Sequence, residues 1–391
     1  MIQRQISEKA KYLLSKFPIL TITGPRQSGK TTLIKYLFKD FEYFSLENPD
    51  IRLLINDDPK GFLNTIKTGI VLDEVQKLPE FFSYIQTYSD ENPDKKIVLS
   101  GSQNFGLIQS ISQSLAGRTA ILKLLPFSVQ EINTAGILFK SYEEAIFKGA
   151  YPRLYDKNIK PQDFYPFYIQ TYIERDVRQI KNITNLNTFL NFIKLCAGRI
   201  GTLLNLNSLA NDAGISINTV KSWLSVLEAS YIIYKLAPYH KNYNKRIVKM
   251  PKLYFYDTGL ACSLLGLENI NQLKTYYKKG DLFENLVINE LLKNRFNAGK
   301  NNNLFFWRDS KGNEIDCIFE KRGQIYALEI KSSSTYKSEF FKNIGYWNKI
   351  SKSKEDFSFL IYTGKINRKT KFGHLFSWEN LSDMKKLSVW L

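Results

Sequence analysis

The 391-residue sequence is poor in the residues that build metal cages and disulfide frameworks, with three cysteines and two histidines. Cys196, Cys262 and Cys317 stand far apart, which excludes a disulfide scaffold and a C-x-x-C metal site. His240 and His374 lack partners at ligand spacing, and neither is assigned a role. No apolar run approaches the roughly 18–20 residues of a membrane span, so no membrane partner is expected. The opening residues Met1-Ile2-Gln3-Arg4-Gln5-Ile6 lack the charged-then-apolar layout of a signal peptide, and a cytoplasmic location is expected. Repeats, heptads and low-complexity tracts are also missing.

Acidic residues are scarce relative to basic ones: 37 Asp and Glu face 55 Lys and Arg, a net charge of +18. Such a surplus favours nucleic acid or an acidic surface as partner. The Lys-, Asn- and Ile-rich composition of an AT-biased genome raises the isoelectric point equally well without any partner. The basic residues crowd Lys235–Lys252 and Lys337–Lys371, both in the C-terminal half. Length predicts two or three domains, and 43% hydrophobic with 14% aromatic residues suits well-filled cores.

What is present begins with Gly24-Pro25-Arg26-Gln27-Ser28-Gly29-Lys30-Thr31, directly after the apolar run Ile19-Leu20-Thr21-Ile22-Thr23 and before the helical Thr32–Phe38. G-x-x-x-x-G-K-[ST] between strand and helix is a phosphate loop. Its backbone N–H groups cradle phosphates, Lys30 reaches the β/γ-phosphates and the Thr31 hydroxyl holds Mg²⁺. The first half alternates strand-like runs with helical stretches, the pattern of a parallel α/β sheet. The expected strands are Leu20–Thr23, Tyr43–Ser45, Ile70–Leu72, Ile97–Ser100 and Ile121–Leu124. After Pro126 the pattern turns helical to about Cys196, with Pro152, Pro161 and Pro166 expected to break it; strands return after Tyr254.

Ile70-Val71-Leu72-Asp73-Glu74 closes a strand with two carboxylates where ligands of open α/β sheets gather. Asp73 would hold the Mg²⁺ water shell and Glu74 would polarise the attacking water. The next strand ends Ser100-Gly101-Ser102-Gln103. In the additional-strand class of P-loop ATPases a polar side chain here lies between the acids and the γ-phosphate. Ser102 is the candidate, with Gln103 and Ser100 as alternatives. Arg118, in Ser114-Leu115-Ala116-Gly117-Arg118, is either an arginine finger on a neighbouring subunit or a surface arginine, and the former requires a homo-oligomer.

Together GPRQSGKTTL, VLDEVQKLPE, LSGSQ and LAGR resemble prokaryotic AAA-plus-type ATPases whose C-terminal region is a domain of unknown function. The resemblance continues through Gly149-Ala150-Tyr151-Pro152, Tyr172-Ile173-Glu174-Arg175-Asp176 and Tyr254–Leu260. It implies an ATP- and Mg²⁺-binding ATPase in which 24–32, including Thr32, line the nucleotide. Asp257-Thr258-Gly259 reads as a turn that fixes the orientation of the middle and last domains.

Further on, Asn207–Gly214 reads as a short helix ended by glycine, and Ser216 caps a second helix from Ile217 to about Glu228. Val220, Leu224 and Leu227 form its buried stripe, leaving Asn218, Thr219, Lys221, Ser222 and Ser225 outward. With Tyr231-Ile232-Ile233-Tyr234 as a wing, this predicts a winged helix-turn-helix. Its outward face carries a single lysine, so base reading is weakly supported, while Lys241–Lys252 is placed to meet phosphates.

The last region sets Glu284 on a helix, Asp316 in the strand Asn313–Phe319, and Glu329-Ile330-Lys331 at the end of the next strand. Alternation puts Glu329 and Lys331 on one sheet face. The layout resembles PD-(D/E)XK nucleases, with Ile315 where the name has proline. The resemblance implies that Asp316 and Glu329 bind Mg²⁺, Lys331 orients the water or stabilises the phosphorane, and Glu284 completes the acidic surroundings. The plain alternative is a salt-bridged strand pair.

The expected fold class is α/β: a P-loop ATPase with a parallel sheet, then a helical/winged-helix region and a mixed α/β restriction-endonuclease-like domain. The expected divisions are 1–137 for the ATPase, 138–198 for a helical lid or linker, 199–252 for the winged helix and 253–391 for the nuclease-like domain. The leading function is an ATPase acting on nucleic acid, DNA before RNA. The alternative is a nucleotide-controlled switch or scaffold that binds a protein partner without cleavage. A protein-remodelling motor would need aromatic pore loops, and none is identified.

Overall fold

The computed structural model describes residues 2–102, 114–177, 183, 185–239 and 248–383, and for 174–177 the backbone alone. Gln103, His240 and most of the basic segment 241–252 lie outside these, as do the side chains of Glu174, Arg175 and Asp176. The chain divides into two compact units: one of Met1–Phe127, Ala229–Tyr231 and Arg295–Asn301, the other of the remaining segments.

In the first unit five strands, β1 (Ile19–Thr23), β2 (Glu42–Ser45), β3 (Gly69–Asp73), β4 (Lys96–Gly101) and β5 (Thr119–Lys123), lie in the order β2-β3-β4-β1-β5, all parallel. The expected P-loop ATPase-like α/β architecture is present. Both sheet faces are buried, which explains apolar runs without alternation. Ile19, Ile70, Leu72, Ile97 and Leu99 face one core with Phe62, Phe81 and Ile85. Leu20, Ile22, Val71 and Val98 face the other, with Leu33 and Ile34 of the helix Lys30–Leu37. The strand order brings the C-terminal ends of β1, β3 and β4 together, so the phosphate loop, the acid pair and Ser102 share one edge.

Two late segments complete this unit. The Tyr231 hydroxyl bonds Thr23 Oγ1 at 2.9 Å, immediately before the phosphate loop. Asn297 donates to Gln5 at 3.0 Å, and the Lys123 ammonium lies 5.2 Å from the Phe296 ring centroid.

The second unit holds a mixed eight-stranded sheet in the order β12-β13-β11-β10-β9-β8-β6-β7. Its strands are β6 (Ile233–Pro238), β7 (Lys252–Phe255), β8 (Leu304–Arg308), β9 (Glu314–Lys321), β10 (Gln324–Lys331), β11 (Ser358–Tyr362), β12 (Arg368–Thr370) and β13 (Gly373–Ser377). Helices precede it. Pro152 and Pro161 each open a helix, where the missing N–H costs nothing. Pro166, expected to break the chain, lies inside the helix Pro161–Tyr168, and a wider π-helical stretch, Ile169–Val177, follows.

Helices Leu206–Ala213 and Ile217–Ala229 flank Gly214, whose φ of 64° suits a left-handed helix end. Ser216 Oγ accepts from Thr219 N at 3.1 Å. Val220, Leu224 and Leu227 are buried as expected, and Trp223 and Val226 widen the stripe, with Trp223 edge-on to Phe189 and Phe192. The strand proposed for a wing starts later than expected, at Ile233, because Tyr231 has a φ of 56°. It pairs with β7 in an antiparallel ribbon and then runs beside β8, joining the large sheet.

The family-like motifs meet around Asp257. It caps the helix Thr258–Leu264 through Leu260 N (2.9 Å) and accepts from Ala150 N (2.7 Å) and the Tyr165 hydroxyl (2.6 Å). A Cβ on Gly149 or on Gly259 would lie 1.9 or 2.3 Å from that hydroxyl, so both glycines make room for Tyr165. This ties 149–152 to 257–259 within the second unit. Burial pushes the Asp257 carboxyl up despite three neutral donors.

Candidate functional site

The first candidate site grows from the end of β1. Gly24 has a φ of 154°, and a Cβ there would sit 2.1 Å from the Leu124 carbonyl oxygen. Gln27 (φ 63°) and Gly29 (φ 90°) are left-handed turns of the kind that aim successive N–H groups into one concavity. Gly29 leads into the N-terminus of the helix Lys30–Leu37, whose dipole favours anions. Lys30 is 5% exposed, and its ammonium donates to Gly24 O (3.0 Å) and Pro25 O (2.9 Å). Burial lowers its pKa to about 8, although Glu74 and Asp73 pull the other way. Arg26 pairs with Glu47 at 3.3 Å, and Thr32 is exposed on the first helical turn.

The acid pair stands where the sequence sets it. Asp73 Oδ2 accepts from the hydroxyls of Thr31 and Tyr43, each at 2.7 Å. Its Oδ1 accepts from Ser100 Oγ and from Glu74 N at 3.1 Å. Glu74 takes a left-handed φ of 57°, and its Oε2 accepts from Ser102 Oγ at 3.0 Å and from Gln76. Ser100 and Ser102 therefore serve one acid each. Arg118 is elsewhere. It precedes β5 at the sheet end away from the phosphate loop, forked onto Asp90 at 2.6 and 2.8 Å.

Sequence reasoning missed Tyr43, Gln76 and Arg4. Arg4 is buried under the loop, donating to Ser28 O (2.8 Å) and Leu125 O (2.6 Å) over the Phe127 ring. An arginine ahead of a predicted strand carries no spacing signal for this.

The second candidate site is built on the antiparallel β9–β10 hairpin and the helix Lys279–Asn297. Asp316 Oδ2 accepts from Ile330 N at 2.7 Å and lies 3.4 Å from the Lys331 ammonium, which also bonds Glu329 Oε2. Glu329 is 0% exposed, and its other oxygen, Oε1, has no hydrogen-bond partner. Burial and the Asp316 charge hold the Glu329 carboxyl well above the carboxylate range. At Asp316 burial acts in the same direction, but Lys331, Lys252 and the Ile330 N–H outweigh it, so its pKa is lowered.

Glu284 is held differently. Its Oε1 accepts from Lys252 Nζ at 2.9 Å and from the Tyr254 hydroxyl. Burial raises its pKa to about 7, only partly countered by Lys252. Lys252 also pairs with Glu314 at 2.5 Å, which in turn meets Arg308 at 3.0 Å. Lys252, placed with the phosphate-meeting basic segment by sequence, is 3% exposed and points inward, because two glutamates compensate its charge there. The hairpin thus unites Asp316, Glu329 and Lys331, while Glu284 has its own lysine. Among the described residues no group of three or more His, Cys, Asp or Glu has metal-holding geometry. None of the described helices is long and apolar enough to cross a membrane.

Residues 16–133 match the model of an AAA domain family. Residues 139–271 and 279–381 match two families each described as a domain of unknown function. Uncharacterized proteins of Mycobacterium bovis and Mycobacterium tuberculosis are 28% identical over 340 residues, 85% of this chain and 74% of theirs. Among solved structures, a Walker-type ATPase of Pyrococcus abyssi shares 13% identity over 68% of this chain and 96% of its own, with a TM-score of 0.46. AMPPCP-bound DnaA from Aquifex aeolicus shares 16% over 57% and 85%, with a TM-score of 0.30. The family match and the loop geometry agree: the N-terminal part carries an AAA-type P-loop ATPase domain.

Proposed function

We propose that the protein hydrolyses ATP and acts on nucleic acid, DNA before RNA, through its C-terminal half. The observation that carries the ATP part is Lys30, Thr31, Asp73 and Glu74 on one sheet edge, with Thr31 bonded to Asp73 at 2.7 Å. The donor set is all oxygen, which suits Mg²⁺. Thr31 and Asp73 would hold it, and when bound it neutralises charge on the transferring phosphoryl group. Lys30 would turn from the loop carbonyls to the β/γ-phosphates. Glu74, oriented by Ser102 and Gln76, would take up the proton of the attacking water. Arg118 would serve only on a second copy of the chain. The proposed divisions are 1–137, 138–198, 199–252 and 253–391, with the sheet hydrogen-bonded across the last of them.

Support for metal-dependent cleavage comes from Glu329: its fully buried Oε1 has no hydrogen-bond partner, and a divalent cation held with Asp316 would favour the carboxylate form that burial disfavours. Asp316 and Glu329 would hold the ion and Lys331 would orient the water. Another observation favours the switch or scaffold reading: Lys331 already neutralises Asp316 and Glu329, and Lys252 does the same for Glu284. Incubation of labelled DNA and RNA with Mg²⁺ or Mn²⁺, with and without ATP, beside Lys331→Ala, separates the two. Cleavage lost in Lys331→Ala supports the nuclease; no cleavage under any metal, with ATPase intact, favours the scaffold.

A further inference from the structure

We propose that Tyr43 is a positioning residue that sets how tightly the nucleotide site takes up its divalent cation. The inference rests on reading Lys30, Thr31 and Asp73 as that site. Tyr43 lies on the edge strand β2, paired with Val71 of β3, so its phenol reaches along the sheet to the acid that ends β3. Its hydroxyl donates to Asp73 Oδ2 at 2.7 Å.

The four donors on Asp73 are not equivalent. Ser100, Glu74 N and Tyr43 belong to strands β4 and β2 and to the end of β3; Thr31 alone belongs to the phosphate-loop helix. Thr31 is also the residue whose hydroxyl oxygen a divalent ion takes as a ligand in this loop. Once that hydroxyl turns from Asp73, Tyr43 is the remaining described donor on Oδ2. It then fixes the plane of the carboxylate and the oxygen offered to the ion's water shell, the orienting role of outer-shell partners in metal sites.

Two features keep the phenol in place. The Tyr43 ring packs against the core beneath the helix, and the Lys35 ammonium lies 3.9 Å from its centroid. Lys35 stands one turn after Thr31 on the same helix.

The test is binding of a fluorescent ATP analogue to the full chain, in Mg²⁺ and in EDTA, for wild type, Tyr43→Phe and Lys30→Ala. Phenylalanine keeps the ring and its packing. Tyr43→Phe should match wild type in EDTA and lose about tenfold of the Mg²⁺-dependent gain in affinity, as removal of an outer-shell partner does. Lys30→Ala should lose affinity in both. A full Mg²⁺ gain in Tyr43→Phe overturns the proposal. So does an equal loss in EDTA, which marks a merely structural tyrosine. Wild type that binds in neither condition overturns the nucleotide-site reading itself, and the role of Tyr43 falls with it.

Discussion

The two candidate sites each bury carboxylates, and they compensate them in opposite ways. In the first, Asp73 is surrounded by hydroxyls and a backbone N–H, while Lys30 is held on the loop's own carbonyls. In the second, lysines sit directly on the acids: Lys331 on Asp316 and Glu329, Lys252 on Glu284 and Glu314. Neutral donors orient a carboxylate without cancelling its charge, so the first site keeps its negative charge available to a cation. An ion pair cancels the charge within the chain, and breaking one partner leaves the other uncompensated. The first arrangement is poised for a ligand; the second is also a structural tie.

Four measurements break or sharpen that contrast. The largest effect belongs to Lys30→Ala, which should abolish nucleotide binding or turnover, since no nearby side chain replaces its charge at the phosphates; filter binding and phosphate release check this. Glu74→Gln should retain bound ATP but slow hydrolysis about 100-fold or more, the usual worth of a positioned base. Wild-type turnover in that variant would remove Glu74 from the mechanism.

In the second unit the prediction concerns stability. Lys331→Met should destabilise the fold by about 3 kcal/mol in denaturant titrations, because Asp316 and Glu329 lose their cation. Lys331→Met combined with Glu329→Gln should recover part of the loss; no recovery would mean that the pair is not the cause. The smallest effect is in pH dependence. Asp316 has a lowered pKa, so its contribution is present above the ordinary value of 3.8 and lost as pH falls through the folded value. Asp257 has a raised pKa, so its cost appears as pH rises from 3.8 through the folded value. Relative to wild type, Asp257→Asn should therefore gain stability over that rise, and Asp316→Asn should lose its disadvantage in acid. Parallel slopes would contradict the contrast between neutral donors and lysines.

The legible parts of the sequence were those written in contiguous residues. The phosphate loop, the strand before it and the acids ending β3 each carry their chemistry within one segment. Glu329 and Lys331 share a face by simple alternation, and the Ser216 cap follows from the helix start it precedes. The remainder depended on distant pairings. Nothing in the spacing of Arg4, Tyr43 or Lys252 reveals that they turn towards Ser28, Asp73 and Glu284, because each is delivered by strand order or by a terminal segment. Lys252 shows the hazard most clearly, since a basic run reads as a solvated surface until its neighbours are known. Pro166 shows the limit of local rules, since the chain winds through it.

The discontinuity of the first unit bears on how the protein is made. Thr23 precedes the phosphate loop, yet Tyr231, the hydroxyl bonded to it, and the segment Arg295–Asn301 come much later in the chain. At about 5–20 residues per second, the roughly 170 residues between Phe127 and Asn301 take on the order of ten seconds or more to synthesise. During that interval the nascent ATPase sheet exists without its last pieces, and most of the second unit is made before the first is complete. The order of translation thereby makes completion of the ATPase unit wait on synthesis of most of the second unit.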